Sequence, residues 1–253
     1  PFACRYRLID FALSNMVNAG IEKVGVLTKS NYQSLMDHVG TGKPWDLSRK
    51  DDGLYMLPPF SLNSASIWGN RIDAIYGNKD FLDHCSQEYV LMSDCNHIAS
   101  IDFEDIFNQH EANDADITIV GVKGKLPTNI SSVLVFDKVD DDGRITAFEE
   151  KPKNPKSNKA SMGVYMFTWE KLRQYLIDDE NNPESSNDFG KNVIPAMHEA
   201  GERLFAYGFE GYWKDVGTID SLWEANLDLL NPKANIDLSD STWKIYGRGA
   251  ATA

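Results

Sequence analysis

The sequence predicts an α/β domain, Rossmann-like, in which a mixed, mainly parallel sheet carries helices on both faces. Segments with the apolar spacing of helices alternate along the chain with short runs of β-branched and aromatic residues, and this alternation is typical of parallel strands joined by helices. Hairpins in the second half are indicated by the turn Asp140-Asp141-Asp142-Gly143, so some antiparallel pairing is expected. The 253 residues are 42% hydrophobic, which is enough to bury a core.

The first half of the chain opens with a helix. Leu8 to Asn18 places Phe11, Met16 and Val17 on one side, and Gly20 is suited to end it. Gly, Asp, Lys and Pro are frequent between residues 40 and 59 and no period is visible there, so we predict a long loop over the open face of the sheet. The other predicted elements are strands at residues 21–28 and 88–92 and helices at residues 33–38 and 71–85.

The second half follows the same alternation. Helices are predicted at residues 103–113, 169–177, 192–200 and 218–230, and strands at residues 115–122, 132–136, 144–149, 161–167 and 204–209. Asn231-Pro232 ends the domain, because proline cannot continue the preceding helix. We therefore predict one domain over residues 1–232 and interpret residues 233–253 as a linker.

Composition argues against several classes of function. The net charge of −13 argues against nucleic-acid binding. No apolar run is long enough to cross a bilayer and no signal-peptide pattern is present, so no membrane association is expected. The three cysteines, Cys4, Cys85 and Cys95, are too few and too scattered for a disulfide framework or a zinc site. They are typical of reduced thiols in a cytoplasmic protein.

The stretch 211–220 is the most informative candidate site. It places Asp215 between a short apolar strand and a helix that Thr218 or Asp220 can cap, and Gly217 frees the backbone to turn. A carboxylate in this position of an α/β protein can hold a metal-bound phosphate. Taken alone, the stretch is explained as well by an ordinary strand–turn–helix with a capping aspartate.

Three further segments carry side chains suited to a ligand. Glu150-Lys151-Pro152 ends a predicted strand, where a carboxylate beside an ammonium can bind a sugar hydroxyl and a phosphate, although alone it is better explained as a solvated charge cluster. Ser161-Met162-Gly163 opens a strand with a hydroxyl and a glycine, and is also a core strand. Residues 89–98 form an apolar strand that becomes polar at its C-terminal end, where open α/β sheets bind ligands.

In this order the segments resemble the sugar-nucleotide pyrophosphorylases, and most closely the glucose-1-phosphate adenylyltransferases (ADP-glucose pyrophosphorylases) of bacterial glycogen synthesis. The resemblance covers nearly the whole chain. Its motifs are Arg7-Leu8-Ile9-Asp10-Phe11-Ala12-Leu13-Ser14-Asn15, Asp73-Ala74, Glu150-Lys151-Pro152, Ser161-Met162-Gly163, Asp188-Phe189-Gly190-Lys191 and Asp215-Val216-Gly217-Thr218. Each motif alone is a weak signal, but six in the family's order are specific.

The resemblance implies a sugar-nucleotidyltransferase domain over residues 1–232. The family's glycine-rich phosphate loop would precede Pro1, and its C-terminal left-handed β-helix would begin with an entry strand within residues 233–253. The implied reaction joins ATP to glucose 1-phosphate, giving ADP-glucose and pyrophosphate, with Mg²⁺ held between two aspartates. Asp215 stands at one of these two metal-binding, catalytic positions.

The resemblance also implies a sugar-phosphate site. Lys151 would pair with the phosphate of glucose 1-phosphate, and so contribute to catalysis as well as to substrate binding. Glu150 would accept hydrogen bonds from glucose hydroxyls, and Ser161 and Gly163 would contact the sugar. All four positions keep the family's residues.

The nucleotide half departs from the family. With His97 and Ile98 as anchors, the family's second metal-binding aspartate falls on Asn96, whose neutral amide is a poorer magnesium ligand. The family's Gly-Thr-Ala-Asp-Ala is replaced by Asn70-Arg71-Ile72-Asp73-Ala74, which brings an arginine into the nucleotide half. The pattern resembles the non-catalytic, GlgD-type subunit. It implies a regulatory or supporting role in a hetero-oligomer with a catalytic glucose-1-phosphate adenylyltransferase subunit.

Three alternatives stay open. The chain can be an active adenylyltransferase that uses Asp94, which would lie on the same strand face as Asn96 if the strand stays extended to that point, but about 6–7 Å further back. It can be a pyrophosphorylase for another base or sugar, such as mannose 1-phosphate. It can also be a sugar-phosphate binding module without an enzymatic partner.

Overall fold

The computed structural model describes residues 1–28, 31–58, 71–123, 134–150 and 157–248, with the backbone alone for Arg71, Lys123, Asp137 and Glu150. The helices of these ranges are α1 Leu8–Asn18, α2 Gln33–Val39, α3 Arg71–Tyr76, α4 Lys79–Asp83, α5 Phe103–Ala112, α6 Trp169–Glu180, α7 Ile194–Glu199 and α8 Ile219–Asp228. The strands are β1 Lys23–Leu27, β2 Gly53–Leu57, β3 Tyr89–Ser93, β4 His97–Ala99, β5 Ile117–Lys123, β6 Leu134–Val139, β7 Ile145–Glu150, β8 Lys159–Thr168, β9 Leu204–Phe209 and β10 Trp213–Asp215.

Six strands form one mixed sheet. Five of them follow the order β7-β6-β8-β5-β9, and the sixth, β3, pairs with the C-terminal part of β8, on the side where β6 pairs with its N-terminal part. The predicted α/β fold with a mixed sheet is confirmed. The expectation that this sheet is mainly parallel needs correction, because β8 runs antiparallel to β3, β5 and β6, and only β5 and β9 pair in parallel within the described sheet.

A separate two-stranded sheet pairs β1 with β2 in parallel, from Lys23 beside Gly53 to Leu27 beside Leu57. The prediction of a loop over residues 40–59 is therefore wrong for β2. The same stretch also contains a 3₁₀ turn that buries Trp45. The apolar run that forms β2 is short and follows a Gly- and Asp-rich stretch. Its partner strand lies before α2, so no local period indicates the pairing.

The helix α1 has the bounds that its apolar spacing predicts. It is buried from Ile9 to Asn15, and this buried stretch includes the polar residues Asp10, Ser14 and Asn15. The predicted helix over residues 71–85 is interrupted between α3 and α4. There the side-chain amide of Asn78 donates to the carbonyl of Ala74 at 2.8 Å, which satisfies a carbonyl at the end of α3.

A π-helical turn, Phe189–Val193, leads into α7. Pro195 in the first turn of α7 has no N–H to donate to the preceding turn, so the backbone widens there. Asp188 caps the turn, because its Oδ1 accepts hydrogen bonds from the amides of Gly190 and Lys191 at 3.0 and 3.1 Å. The Asp188-Phe189-Gly190-Lys191 motif therefore has a structural role here.

The helix α8 is capped by Thr218, one of the two predicted capping residues, whose Oγ1 accepts from the amide of Ser221 at 3.1 Å. One side of α8 packs inward through Ala225. The other side carries an exposed apolar stripe with members about one helical turn apart: Ile219, Trp223, Leu227 and Leu230.

Residues 232–248 turn back over α1. Ile245 is buried in one cluster with Phe11, Val216 and Ala225. This C-terminal segment forms no strand up to Arg248, and the predicted domain boundary at Asn231-Pro232 stays a prediction. None of the helices in the described ranges has both the length and the apolar character that a membrane span requires.

Candidate functional site

The pairing of β4 with β10 brings together the two positions predicted to bind metal. His97 lies opposite Asp215, and Ala99 lies opposite Trp213, in an antiparallel register. The amide of Val216 donates to the carbonyl of Asn96 at 2.8 Å, which extends the pairing by one step. Asn96 and Asp215 therefore stand at the same end of this strand pair, although their positions in the sequence are far apart.

The side chains of Asn96 and Asp215 converge over Gly217. The amide of Gly217 donates to Asp215 Oδ1 at 2.7 Å. A Cβ atom at position 217 would lie 3.0 Å from that oxygen and 4.0 Å from Nδ2 of Asn96. The glycine thus leaves room for both polar groups and holds the carboxylate through its N–H.

His97 lies behind this end of the strands and is buried. Burial lowers the pKa of its imidazole to about 4, because the charged form would lose its hydration. Its Nδ1 has no hydrogen-bond partner among the described residues. His97 is therefore neutral near pH 7 and packs behind the strand ends.

Gly163 lies in a bulge of β8. Val164 pairs with Val120 whereas Ser161 pairs with Gly121, so Met162 and Gly163 are extra on this strand. Gly163 adopts a φ of +75°, a left-handed conformation that a side chain would strain. The bulge re-aims the backbone at the point where a sugar contact is predicted.

Ser161 holds the bulge from within. Its Oγ accepts from the amide of Gly163 at 3.1 Å and donates to the hydroxyl of Tyr165 at 3.3 Å. Ser161 is itself buried. Its hydroxyl is engaged in shaping the Gly163 backbone, and the predicted contact of Ser161 with a sugar stays a prediction.

Asp94 lies against Gly163. Its amide donates to the carbonyl of Gly163 at 2.9 Å, and a Cβ atom on Gly163 would collide with its carboxylate. The carboxylate of Asp94 thus contacts the β8 bulge, while that of Asp215 contacts Gly217.

Several predicted site residues cannot be placed. Lys151 lies outside the described residues. Glu150 ends β7 opposite Leu134, and Arg71 begins α3, but the side chains of both lie outside the description. Lys214, which precedes Asp215 in β10, is described. Its ammonium pairs with the carboxylate of Glu224 in α8 at 2.9 Å.

The donors around Asp215 make an incomplete magnesium site. Magnesium favours several anionic or neutral oxygen ligands in octahedral geometry, whereas here one carboxylate stands beside one neutral amide. Within the described ranges, no three Asp, Glu, His or Cys side chains cluster as metal ligands. The residues present do not hold the ion by themselves, and substrate phosphates would have to supply most of its ligands.

Sequence reasoning missed Asn15 as a residue connected to the site. Its side chain contacts the backbone that follows β4, through the carbonyl of Ala99 and the amide of Ile101. The signal was present in the chain: a polar pair, Ser14-Asn15, lies within the stretch of α1 that the apolar spacing turns inward.

Comparison with known proteins identifies the family of the chain. The nucleotidyl transferase family model matches residues 1–232. Over 247 residues, the chain is 48% identical to the glucose-1-phosphate adenylyltransferase of Desulforamulus reducens, covering 97% of this chain and 61% of that relative. It is 45% identical to the protein of the same name from Clostridium novyi, with 97% and 64% coverage, and 46% identical to that from Clostridium perfringens, with 97% and 63%. The chain spans less than two thirds of the length of these relatives. The match over the whole α/β domain shows that the chain belongs to the nucleotidyl transferase family.

Proposed function

We propose that this protein is a subunit of glucose-1-phosphate adenylyltransferase that is impaired in catalysis and acts together with a catalytic homologue. The reaction of such an assembly joins ATP and glucose 1-phosphate to give ADP-glucose and pyrophosphate, in glycogen synthesis. The similarity to proteins of that name supports the choice of reaction. The neutral side chain of Asn96 beside Asp215 supports a subunit that is impaired in catalysis.

The amide of Asn96 beside the carboxylate of Asp215 carries the proposal. Phosphoryl transfer depends on positioning and on neutralising the charge that develops on the phosphates. A neutral amide in place of a second carboxylate weakens the hold on the metal ion that would do so. If this costs about 3–4 kcal/mol of transition-state stabilisation, the rate falls on the order of a hundred- to a thousandfold.

Asp94 is a poor substitute for the missing carboxylate. Its side chain packs on the Gly163 bulge of β8, where its own amide is also bonded. This contact lies on β8, whereas Asp215 ends β10 in the other, two-stranded pair. This favours the impaired subunit over an active enzyme that uses Asp94.

The sugar half supports binding without turnover. Glu150 and Lys151 retain the residue types suited to a glucose hydroxyl and a phosphate. We expect glucose 1-phosphate to bind, and Lys151→Ala to weaken its binding by about 1.5–3 kcal/mol, as for a hydrogen bond to a charged group. Calorimetry on both proteins measures this, and equal affinities would contradict the role of Lys151.

An activity assay with a matched pair of variants tests the catalytic part. The natural-length protein should make little ADP-glucose alone, whereas Asn96→Asp should raise the rate detectably without reaching an ordinary enzyme rate of about 1–1000 per second. Asn108→Asp, on the exposed side of α5, adds the same charge away from the site and should leave the rate unchanged. Fast turnover by the unmodified protein would refute the impaired-subunit proposal.

The assembly part has its own test. Co-expression with a catalytic adenylyltransferase subunit, followed by size exclusion and initial-rate assays, should give a mixed oligomer with altered activity or effector response. Such a subunit can favour the active state of its neighbour without turnover of its own. Separate elution with unchanged partner kinetics would instead favour a sugar-phosphate binding module.

A further inference from the structure

Residues 243–247, which we call the strap, lie along α1 and bond to its polar residues. The amide of Tyr246 donates to Ser14 Oγ at 2.8 Å, and the side-chain amide of Asn18 donates to the carbonyl of Lys244 at 3.0 Å. Ile245 is buried between these contacts. The strap is thus held by hydrogen bonds on either side of one apolar anchor.

Asn15 connects the strap to the strands of the candidate site. Its Oδ1 accepts from Nε1 of Trp243 at 2.9 Å and from the amide of Ile101 at 3.3 Å. Its Nδ2 donates to the carbonyl of Ala99 at 2.9 Å. Asn15 is almost fully buried, so water has little access to replace any of these partners.

The bonds of Asn15 reach the end of β4 opposite to the site. Ala99 is the last residue of β4 and Asn96 directly precedes this strand, which pairs with β10 up to Asp215. The pairing of three residues leaves little freedom to absorb a shift at one end. A movement of Ala99 is therefore passed to Asn96 and, across the register, to Asp215.

We propose that Asn15 is a positioning residue, and that the strap, through Trp243, sets the alignment of Asn96 and Asp215. Its consequence for ligand binding rests on the proposed function, but the coupling itself does not. A movement of the strap would then shift Asn96 and Asp215 through the buried side-chain amide of Asn15. The side-chain hydrogen bonds of Asn15 join Trp243 to Ala99 and Ile101 and go to neither Asn96 nor Asp215.

Trp243→Phe tests the coupling with the smallest perturbation. It keeps an aromatic ring but removes the Nε1–H that Asn15 accepts together with the second ring of the indole, and the control variant below loses the same ring. We expect amide hydrogen exchange in residues 97–101 and 213–217 to accelerate roughly two- to tenfold, as for the loss of one neutral hydrogen bond. The β6–β7 hairpin should keep its exchange rates.

Trp223→Phe is the matched control, because Trp223 lies exposed on α8. It should leave exchange unchanged in both regions. If Trp243→Phe leaves residues 97–101 and 213–217 as protected as in the unmodified protein, the strap merely packs on α1 and the proposal is overturned. Should Trp223→Phe produce the same acceleration, the effect is not specific to Asn15, and the proposal is also overturned.

Glucose 1-phosphate binding, measured by calorimetry, supplies the second readout. Trp243→Phe should weaken it roughly two- to tenfold relative to Trp223→Phe. Faster exchange with unchanged affinity would mean that the strands loosen without moving the site, which contradicts a positioning role. If the unmodified protein does not bind glucose 1-phosphate at all, the proposed sugar site fails, and the exchange experiment still decides whether the strap is coupled to the strands.

Discussion

The helices α1 and α8 both border the β4–β10 pair, yet α1 buries polar side chains along with its apolar ones whereas α8 exposes a row of apolar ones. In α1 the buried stretch includes Asp10, Ser14 and Asn15. In α8 the residue that is fully buried is Ala225, while Ile219 and Leu230 at the two ends of its apolar stripe are 87% and 80% exposed. From polarity alone, Asp10, Ser14 and Asn15 would be expected at the surface, and Ile219 and Leu230 in the core.

Local partners explain the difference. The carboxylate of Asp10 accepts from the amide of Arg7 at 2.9 Å and contacts Nε2 of His38 at 2.5 Å, and the strap satisfies Ser14 and Asn15. A buried polar group with its hydrogen bonds made costs little. The stripe of α8, in contrast, has no cover in the described part of the chain. Burial here follows from what lies opposite a residue, not from the residue type.

The largest effect should come from the first-turn aspartates of the two helices. Asp10→Ala removes one partner of a buried pair and should lower the free energy of unfolding by about 3–5 kcal/mol. Asp220→Ala is the matched change in the first turn of α8, where the aspartate is exposed, and should cost less than about 1 kcal/mol. Urea unfolding measures both. Equal losses would mean that the contacts of Asp10 with His38 and Arg7 contribute nothing to stability.

A second pair compares leucines. Leu13→Ala in the buried face of α1 should cost about 2–5 kcal/mol, because it leaves a cavity. Leu230→Ala at the end of the exposed stripe should change stability by less than about 0.5 kcal/mol. Thermal and urea unfolding of both variants give the two values. A loss of several kcal/mol at Leu230 would show that the stripe is covered in solution, and the contrast between the helices would disappear.

The smallest effect concerns His97, on the strand between the two helices. Its pKa is lowered to about 4 in the folded protein, from about 6.5 in the unfolded chain. The unfolded state therefore binds more protons between these values, and stability falls as the pH is lowered from about 6.5 to about 4. His97→Gln should reduce this slope by up to about 1.4 kcal/mol per pH unit.

The free energy of unfolding, measured between pH 4 and pH 7, checks the prediction for His97. His110 has the same lowered pKa, about 4, chiefly from burial, so a residual slope of the same sign should remain in His97→Gln. An unchanged slope would mean that His97 is already accessible to protons in the folded state.

The elements that the sequence predicted best are those with a long local period. The bounds of α1 and of β9 agree with their predictions, because apolar spacing and the following glycine or acidic turn fix both ends. β2 was missed because its pattern is short and its partner is remote. The direction of β8 was also beyond local patterns, since periodicity indicates that a strand exists but not which way it runs.

The candidate site was predictable in part. Asn96 directly precedes β4 and Asp215 ends β10, and in an antiparallel pair the start of one strand lies beside the end of the other, so their meeting follows once the two strands pair. The inward bonding of Ser161 could not, because the bulge at Gly163 changes which side chains face the core. The role of Asn15 required the strap, which lies at the far end of the chain and has no periodic signal.

The central place of β8 has a consequence for how this chain folds. Its three partners, β3, β5 and β6, all precede it in the sequence. During synthesis each of these strands therefore emerges before the strand that pairs with one of its edges. The sheet cannot form completely until β8, which ends at Thr168, has left the ribosome. Pairings between distant segments are slow to form, and open strand edges invite pairing with other chains. We therefore expect this sheet to form late in synthesis, only after β8 has been made.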